Sequence, residues 1–389
     1  MGAEDKNTEM IAKTVQGLEK VLAAELDKLG ASEVTPLKRA VSFKGNKKLL
    51  YAANLHLRTA LSVLVPVDTF KAETTDELYE EAMKIDWSEL FNDNQTFYIS
   101  HSISSPLFSH SQFAALKLKD AICDQFRKAT GKRPTVDTEK PDIRINLHIF
   151  ANNVTISLDS SGEPLFKRGY RQKQAVAPLN EVLAAGIIQL TGWDFQSNFI
   201  DPMCGSGTLP IEAAMLALNI APGLLRHEYA FMNWKNYDAV MWRELQDEAK
   251  RARKKDFDVK IIGTDVDSNV IQIANRNASF IRSNNLRFAN RDFFDFGLPE
   301  GKNLIVFNPP YGMRLETDNI NEFYKQIGAT LKHKYTGCEV WIIAPANELL
   351  FEIGLKSSAK YTLFNGPLEC KLQKFELYAG SKKTAAKEE

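Results

Sequence analysis

No two of the four cysteines, Cys123, Cys204, Cys338 and Cys370, stand close enough in the sequence to form a CxxC pair. That absence excludes zinc ribbons and dithiol redox motifs and fits free thiols in a reducing compartment. The six histidines show no H-E-x-x-H spacing, so no metal is expected. Charge of one sign is also missing: 49 Lys and Arg balance 49 Asp and Glu. Bulk electrostatics therefore do not mark a nucleic-acid binder, and such a role must rest on local patches. No apolar run reaches the length of a membrane span. The opening residues Met1–Lys6 are polar and acidic, without the apolar stretch of a secretory leader. A cytoplasmic location is expected. No repeat of solenoid period is visible.

The chain has 389 residues with 44% hydrophobic content, enough for two or three domains with full cores. Residues 1–65 alternate strands at Met10–Ala12, Val41–Gly45 and Ala60–Pro66 with helices over Gly17–Leu26 and Leu49–Asn54. This pattern predicts a small α+β unit of ferredoxin-like type. Residues 66–160 form a second unit. It has an acidic helical stretch over Glu73–Asp93, with Trp87 and Leu90 pointing inward, and a strand from Phe97. A helix over Ser111–Ala129 is opened by Ser111 as its cap and closed by Gly131. Asp142–Phe150 alternates with period two and turns at Ala151–Asn153 into Val154–Leu158, which predicts a hairpin. Positive charge gathers here, at Lys117, Lys119, Arg127, Lys128, Lys132, Arg133 and Arg144. These residues form either a solvated face, partly neutralised by Asp120 and Asp124, or a surface that meets RNA.

Residues 161–380 alternate apolar strands with helices, the signature of a parallel sheet. The strands expected are Asn198–Met203, Val259–Asp265, Leu286–Asp292, Asn303–Phe307, Glu339–Ala344, Tyr361–Phe364 and Phe375–Ala379, with helical stretches between the first five. Asn365–Pro367 favours a tight reversal, so the last two should pair antiparallel. The fold class is α/β: a Rossmann-like domain with a seven-stranded sheet and one reversed strand, preceded by the α+β region. Residues 381–389 read as a solvated tail.

Two strand-end loops carry the chemistry. The first is Asp201-Pro-Met-Cys-Gly-Ser-Gly-Thr208. Its glycines let backbone approach a ligand where a Cβ would collide, and the next helix points its N-terminal amides at the bound group. A dinucleotide site would require a third glycine where Pro210 stands, and an acid about 20 residues on. Asp265, at the end of the next strand, is much further along. Both departures favour an adenosyl cofactor over NAD. Asp265 is placed to accept from both ribose hydroxyls, Val266 to pack on the adenine, and Asp267 to cap the helix after it. Asp292 can accept from the adenine amino group. Cys204 is read as a small packing residue and not a nucleophile.

The second loop is Asn308-Pro-Pro-Tyr311. An exocyclic base amine is a poor nucleophile because its lone pair is delocalised into the ring. Two acceptors, the Asn308 side-chain oxygen and the Pro309 carbonyl, hold such an amine and favour its pyramidalisation. Pro309 and Pro310 fix φ and remove competing N–H donors, and Tyr311 can stack on the base. Methyl transfer needs alignment more than acid–base power, so the absence of a catalytic His or Cys constellation is consistent.

The chain resembles the THUMP-containing RNA guanine-N2 methyltransferases, and within them the N-terminal module of the 23S rRNA (guanine-2445-N2) type. The resemblance rests on Phe166–Arg171, Ala177–Ala185, Asp201–Ala214 and Asn308–Arg314, and extends over nearly the whole chain. It implies S-adenosylmethionine as cofactor and structured RNA, 23S rRNA or large-subunit assembly intermediates, as substrate. It implies cofactor contacts at Asp201, Pro202, Cys204, Gly205, Ser206, Gly207, Thr208, Asp265, Val266, Asp292, Phe293 and Asn308. It places the amine at Asn308, Pro309, Pro310 and Tyr311; RNA contacts at Lys117, Arg127, Lys128 and Arg133 are expected from the local gathering of positive charge. The helix start at Ala177–Glu181 would border the methionine end of the cofactor. Related tRNA enzymes carry Asp in place of Asn308, which tilts the expectation toward rRNA. Some relatives continue into a second methyltransferase domain, so this chain is expected to perform the N2 reaction alone. The competing readings are an N6-adenine DNA methyltransferase, a tRNA guanine-N2 methyltransferase and a non-catalytic RNA chaperone.

Overall fold

The computed structural model describes residues 7–171, 179–311, 317–346 and 348–378. It divides into two compact units. The first comprises residues 1–14, 23–165 and 226–248, and the second residues 15–22, 166–225 and 249–389.

In the first unit, β1 (Thr8–Thr14), α1 (Glu19–Lys28), β2 (Ser32–Leu37), β3 (Ala40–Gly45), α2 (Lys47–His56) and β4 (Ala60–Lys71) come in the ferredoxin-like order. Asn46 caps α2 by accepting from the Leu49 amide at 3.0 Å. The chain continues through α3 (Thr75–Ala82), α4 (Trp87–Leu90), β5 (Thr96–Ser104), α5 (Ser111–Thr130), β6 (Thr135–Val136), β7 (Ile143–Phe150) and β8 (Asn153–Asp159). All eight strands form one sheet in the order β2-β3-β1-β4-β8-β7-β5-β6. β4 is the joint: it pairs antiparallel with β1 on one edge and with β8 on the other. The ferredoxin-like strands and strands β5 to β8 therefore belong to a single sheet. Residues 226–248 pack in this unit too, with Phe231 stacked on Tyr51 at 4.4 Å between ring centroids.

Three expectations change here. β2 has no counterpart among the strands expected: its residues are nearly all exposed and include Pro36, so they show no alternation. The N-cap of α5 is His110, not Ser111, and its side chain makes no capping bond. Trp87 is fully buried, whereas Leu90 is only half-buried.

The second unit holds α6 (Glu181–Thr191), β9 (Asn198–Asp201), α7 (Thr208–Ala217), β10 (Ile261–Asp265), α9 (Ser268–Asn277), β11 (Leu286–Asn290), β12 (Asn303–Phe307), α10 (Thr317–Lys334), β13 (Glu339–Pro345), α11 (Leu349–Glu352), β14 (Ala359–Asn365) and β15 (Leu368–Glu376), while α8 (Ala239–Arg251) lies mostly among the first unit's residues. The sheet order is β11-β10-β9-β12-β13-β15-β14, with β15 alone antiparallel to its neighbours. The seven strands and the single reversal match expectation. Two details do not. The β11–β12 connection, residues 291–302, carries no helix. The last strand begins at Leu368 and ends at Glu376, earlier than Phe375–Ala379, because Cys370, Leu372 and Phe375 are its buried apolar residues. The core of this unit is built on fully buried strands, β9 and β12, whose residues are mostly apolar on both faces as a parallel sheet requires.

Candidate active site

β9, β10, β11, β12 and β13 run parallel, so the loops at their C-terminal ends leave the sheet on one edge. The strand order reverses between β9 and β12, which opens a crevice beside those loops. The glycine loop comes after β9 and the Asn308–Tyr311 loop after β12. Adjacent strands thus deliver both loops to one place.

The glycine loop is tied down from three sides. The Cys204 amide donates to the Thr264 carbonyl at 2.8 Å, and the Gly207 amide to the Cys204 carbonyl at 2.9 Å. The Gly205 amide donates to Asp265 Oδ2 at 2.9 Å. Gly207 has φ +85°, and a Cβ there would come within 2.8 Å of the Phe288 ring. At Gly205, φ +51°, nothing lies within 4 Å of where a Cβ would be, so its backbone faces open space. The Gly205 backbone is therefore open to close approach by a bound group.

Asp201 is 2% exposed, and its Oδ1 accepts from the Met203 amide at 3.2 Å. Burial, and secondarily the nearby Asp265 carboxylate, push the Asp201 carboxyl well above the usual range. Asp265 Oδ1 accepts from the Asp267 amide at 3.0 Å. Asp267 caps α9 through the Asn269 amide at 2.8 Å. Asp292 is exposed, and its Oδ1 accepts from the Phe294 amide at 2.9 Å. Val266 is exposed at 72%. Ser206 and Thr208 are buried in the loop and the first turn of α7.

Two side chains named from the sequence point elsewhere. Phe293 is 3% exposed and packs against Phe307 and Tyr335, so its ring belongs to the core. Cys204 is buried, and burial, then Asp201 and Asp265, raise its thiol pKa, which suits packing and not nucleophilic attack.

Asn308 is half-buried and makes no side-chain hydrogen bond among the described residues. Pro309 is buried, while Pro310 and Tyr311 are half-buried. The Tyr324 hydroxyl lies 3.5 Å from the Pro310 carbonyl and backs the loop. Gly312, Met313 and Arg314, like Ala177 and Pro178, lie outside the described residues.

Residues 168–374 match the family UPF0020, described as an RMKL-like methyltransferase domain. The chain belongs to the UPF0020 methyltransferase family. Residues 72–159 match the THUMP domain and residues 9–64 the RlmL ferredoxin-like domain. A Synechocystis sp. protein named "Putative RNA methyltransferase" is 39% identical over 369 residues, 94% of this chain and 96% of its own length. The ribosomal RNA large subunit methyltransferase K/L of Syntrophotalea carbinolica is 38% identical over 96% of this chain and 54% of its own. The chain thus spans about half the length of the K/L relatives it matches. A "putative methyltransferase" crystallised with SAH superposes with TM-score 0.86 at 28% identity, covering 97% of this chain and 100% of that one.

The UPF0020 domain here contains two residues whose roles no sequence pattern discloses. Arg171 donates from Nε to Glu181 Oε1 at 2.8 Å, from Nη1 to Ser206 Oγ at 3.3 Å, and from Nη2 to Thr208 Oγ1 at 3.2 Å. It fastens the segment ending at residue 171 and the start of α6 to the glycine loop. Asn290 is a second such residue. Its Nδ2 donates to the carbonyls of Asp265 and Val266 at 2.9 and 2.8 Å, fixing the β10 loop.

Proposed function

We propose that this chain transfers a methyl group from S-adenosylmethionine to the N2 amine of a guanine in 23S rRNA, of the 2445 type. The observation that carries the reading is the delivery of the glycine loop and the Asn308–Tyr311 loop by adjacent strands to one sheet edge. When bound, the cofactor supplies an electrophilic methyl on a sulfonium. Gly205, Gly207 and the first turn of α7 would hold it, with Asp265 toward the ribose, Val266 toward the adenine and Asp292 toward its amino group. Asn308 Oδ1 and the Pro309 carbonyl accept the two N–H bonds of the guanine amine and align its lone pair. With the amine held this way, the cofactor would supply its methyl to the nitrogen and keep the bonding pair on sulfur, and the surplus proton on the nitrogen would leave to water. Tyr311 stacks on the base.

Residues 1–65 and 66–160 serve as the RNA-gripping domains and residues 161–380 as the catalytic domain, in the cytoplasm; residues 381–389, expected from the sequence to be a tail, lie outside the described residues. Among the described residues no helix is long and apolar enough to cross a membrane. In the basic group, Lys117 pairs with Asp76, Lys119 with Asp120 and Arg127 with Asp124. Lys128 and Arg133 are exposed and carry the larger part of the RNA contact. Their double charge reversal should weaken methylation at low salt and matter less at high salt. Deleting residues 1–160 is a poorer test, because it removes Val15–Leu22, which belong to the second unit.

The deciding experiment incubates the chain with methyl-labelled cofactor and unmodified rRNA, tRNA or DNA, and identifies the nucleosides by mass spectrometry. N2-methylguanosine in the large-subunit rRNA is expected. N6-methyladenosine, or label in DNA only, would sink the proposal.

A further inference from the structure

The second unit carries a groove of about 700 Å³ that neither loop uses, lined in part by Leu350, Phe351, Lys360, Lys371 and Gln373. Phe351 is exposed at 73%, with Lys360 Nζ 6.0 Å from its ring centroid. Lys371 Nζ reaches Thr362 Oγ1 at 2.8 Å and Glu369 Oε1 at 2.6 Å. Glu348 is the acid that borders the groove. An aromatic face beside two ammonium groups is the composition that takes a base and its phosphate.

Leu349 and Leu350 belong to the buried cluster against which Tyr311 packs. β13, whose last residues pair with Cys370 and Lys371, lies beside β12, which leads into Asn308. An extruded target base leaves its neighbour without a stacking partner. A second aromatic surface close by compensates for that loss.

We propose that this groove holds the nucleotide adjacent to the target guanine, with its base on Phe351 and its phosphate on Lys360 and Lys371. The inference rests on the RNA-methylating reading above and deepens it.

The test uses the full chain, an unmodified large-subunit rRNA transcript and a fluorescein-labelled single-stranded RNA octamer. Phe351→Ala should raise both KM for the transcript and Kd for the octamer by about tenfold, as loss of one stacked base does. Cofactor affinity by calorimetry should stay unchanged, and Phe351→Trp should restore binding. Lys360→Glu should weaken binding and flatten its salt dependence by about one phosphate contact. Because Phe351 is a surface residue, these variants keep the fold. A Phe351→Ala chain that matches wild type in KM and Kd overturns the groove assignment, whatever the fate of the proposed function. Tighter binding of a DNA octamer than of the RNA octamer overturns it as well. A wild type that binds the octamer through Phe351 but methylates no RNA supports the groove and overturns the proposed function alone.

Discussion

Asp265 and Gly205 stand sixty residues apart in the chain and share a hydrogen bond of 2.9 Å. One carboxylate thus holds the glycine loop with Oδ2 and its own turn, through the Asp267 amide, with Oδ1. Asp265→Ala should lower S-adenosylmethionine affinity by roughly 1.5–3 kcal/mol, the worth of a hydrogen-bonding charged group. Asp265→Asn keeps one acceptor and should lose less. Calorimetric titration that shows equal affinity for Asp265→Ala and wild type would remove Asp265 from the site.

Asn308→Ala should leave cofactor affinity nearly unchanged and reduce kcat roughly 10²-fold or more, the usual cost of one preorganised polar partner. Asn308→Asp keeps an acceptor and should retain partial activity, still at guanine N2. Steady-state kinetics with product analysis distinguishes these outcomes. A change confined to KM for RNA would argue that Asn308 binds substrate without favouring the transition state.

Arg171 and Glu181 form a pair whose side chains are 11% and 6% exposed. Removing the arginine leaves a buried carboxylate without its cation, so Arg171→Ala should destabilise the fold by about 3–5 kcal/mol. The double variant Arg171→Met with Glu181→Met should be less damaged than the single one, because no lone charge remains. Chemical denaturation reads the stability directly. Cofactor affinity should still fall in the double variant, since Ser206 and Thr208 lose their donor. Full affinity there would reduce Arg171 to a packing role.

Burial pushes the Asp159 carboxyl up to about 6, against the opposing pull of the Ser161 and Gly162 amides. The folded state therefore holds this proton more tightly than the unfolded chain does. Its contribution to stability is present below about pH 4 and is lost as pH rises to about 6. The loss corresponds to at most about 3 kcal/mol. Asp159→Asn keeps an acceptor for both amides and should make the protein more stable at pH 8, with the gain vanishing below pH 4. Denaturation at both values checks the sign.

Features that local chemistry writes into a few neighbouring residues were legible in the sequence. An aspartate before Ser268 announces the cap of α9, and Asn-Gly-Pro at 365–367 announces the reversal before β15. Where the determinant is distant, the sequence is silent. The hydrogen bonds of Arg171 end on residues as far as 37 positions away, and nothing within Phe166–Arg171 announces those partners. Phe293 sits next to Asp292, read from the sequence as a cofactor contact, yet its ring turns to Phe307 and Tyr335, partners that only the sheet brings close. The start of β15 is hidden because Lys371 and Lys374 interrupt its apolar residues, although both lie on a hydrogen-bonded ladder with β13.

β4 carries ladders on both edges, to β1 and to β8. Such a strand cannot be cut without exposing two rows of backbone donors and acceptors. The two matched N-terminal domains therefore have to be engineered as one piece: a chimera spliced between residues 64 and 72, where one ends and the other begins, would leave each parent with a frayed edge, open to pairing with another chain.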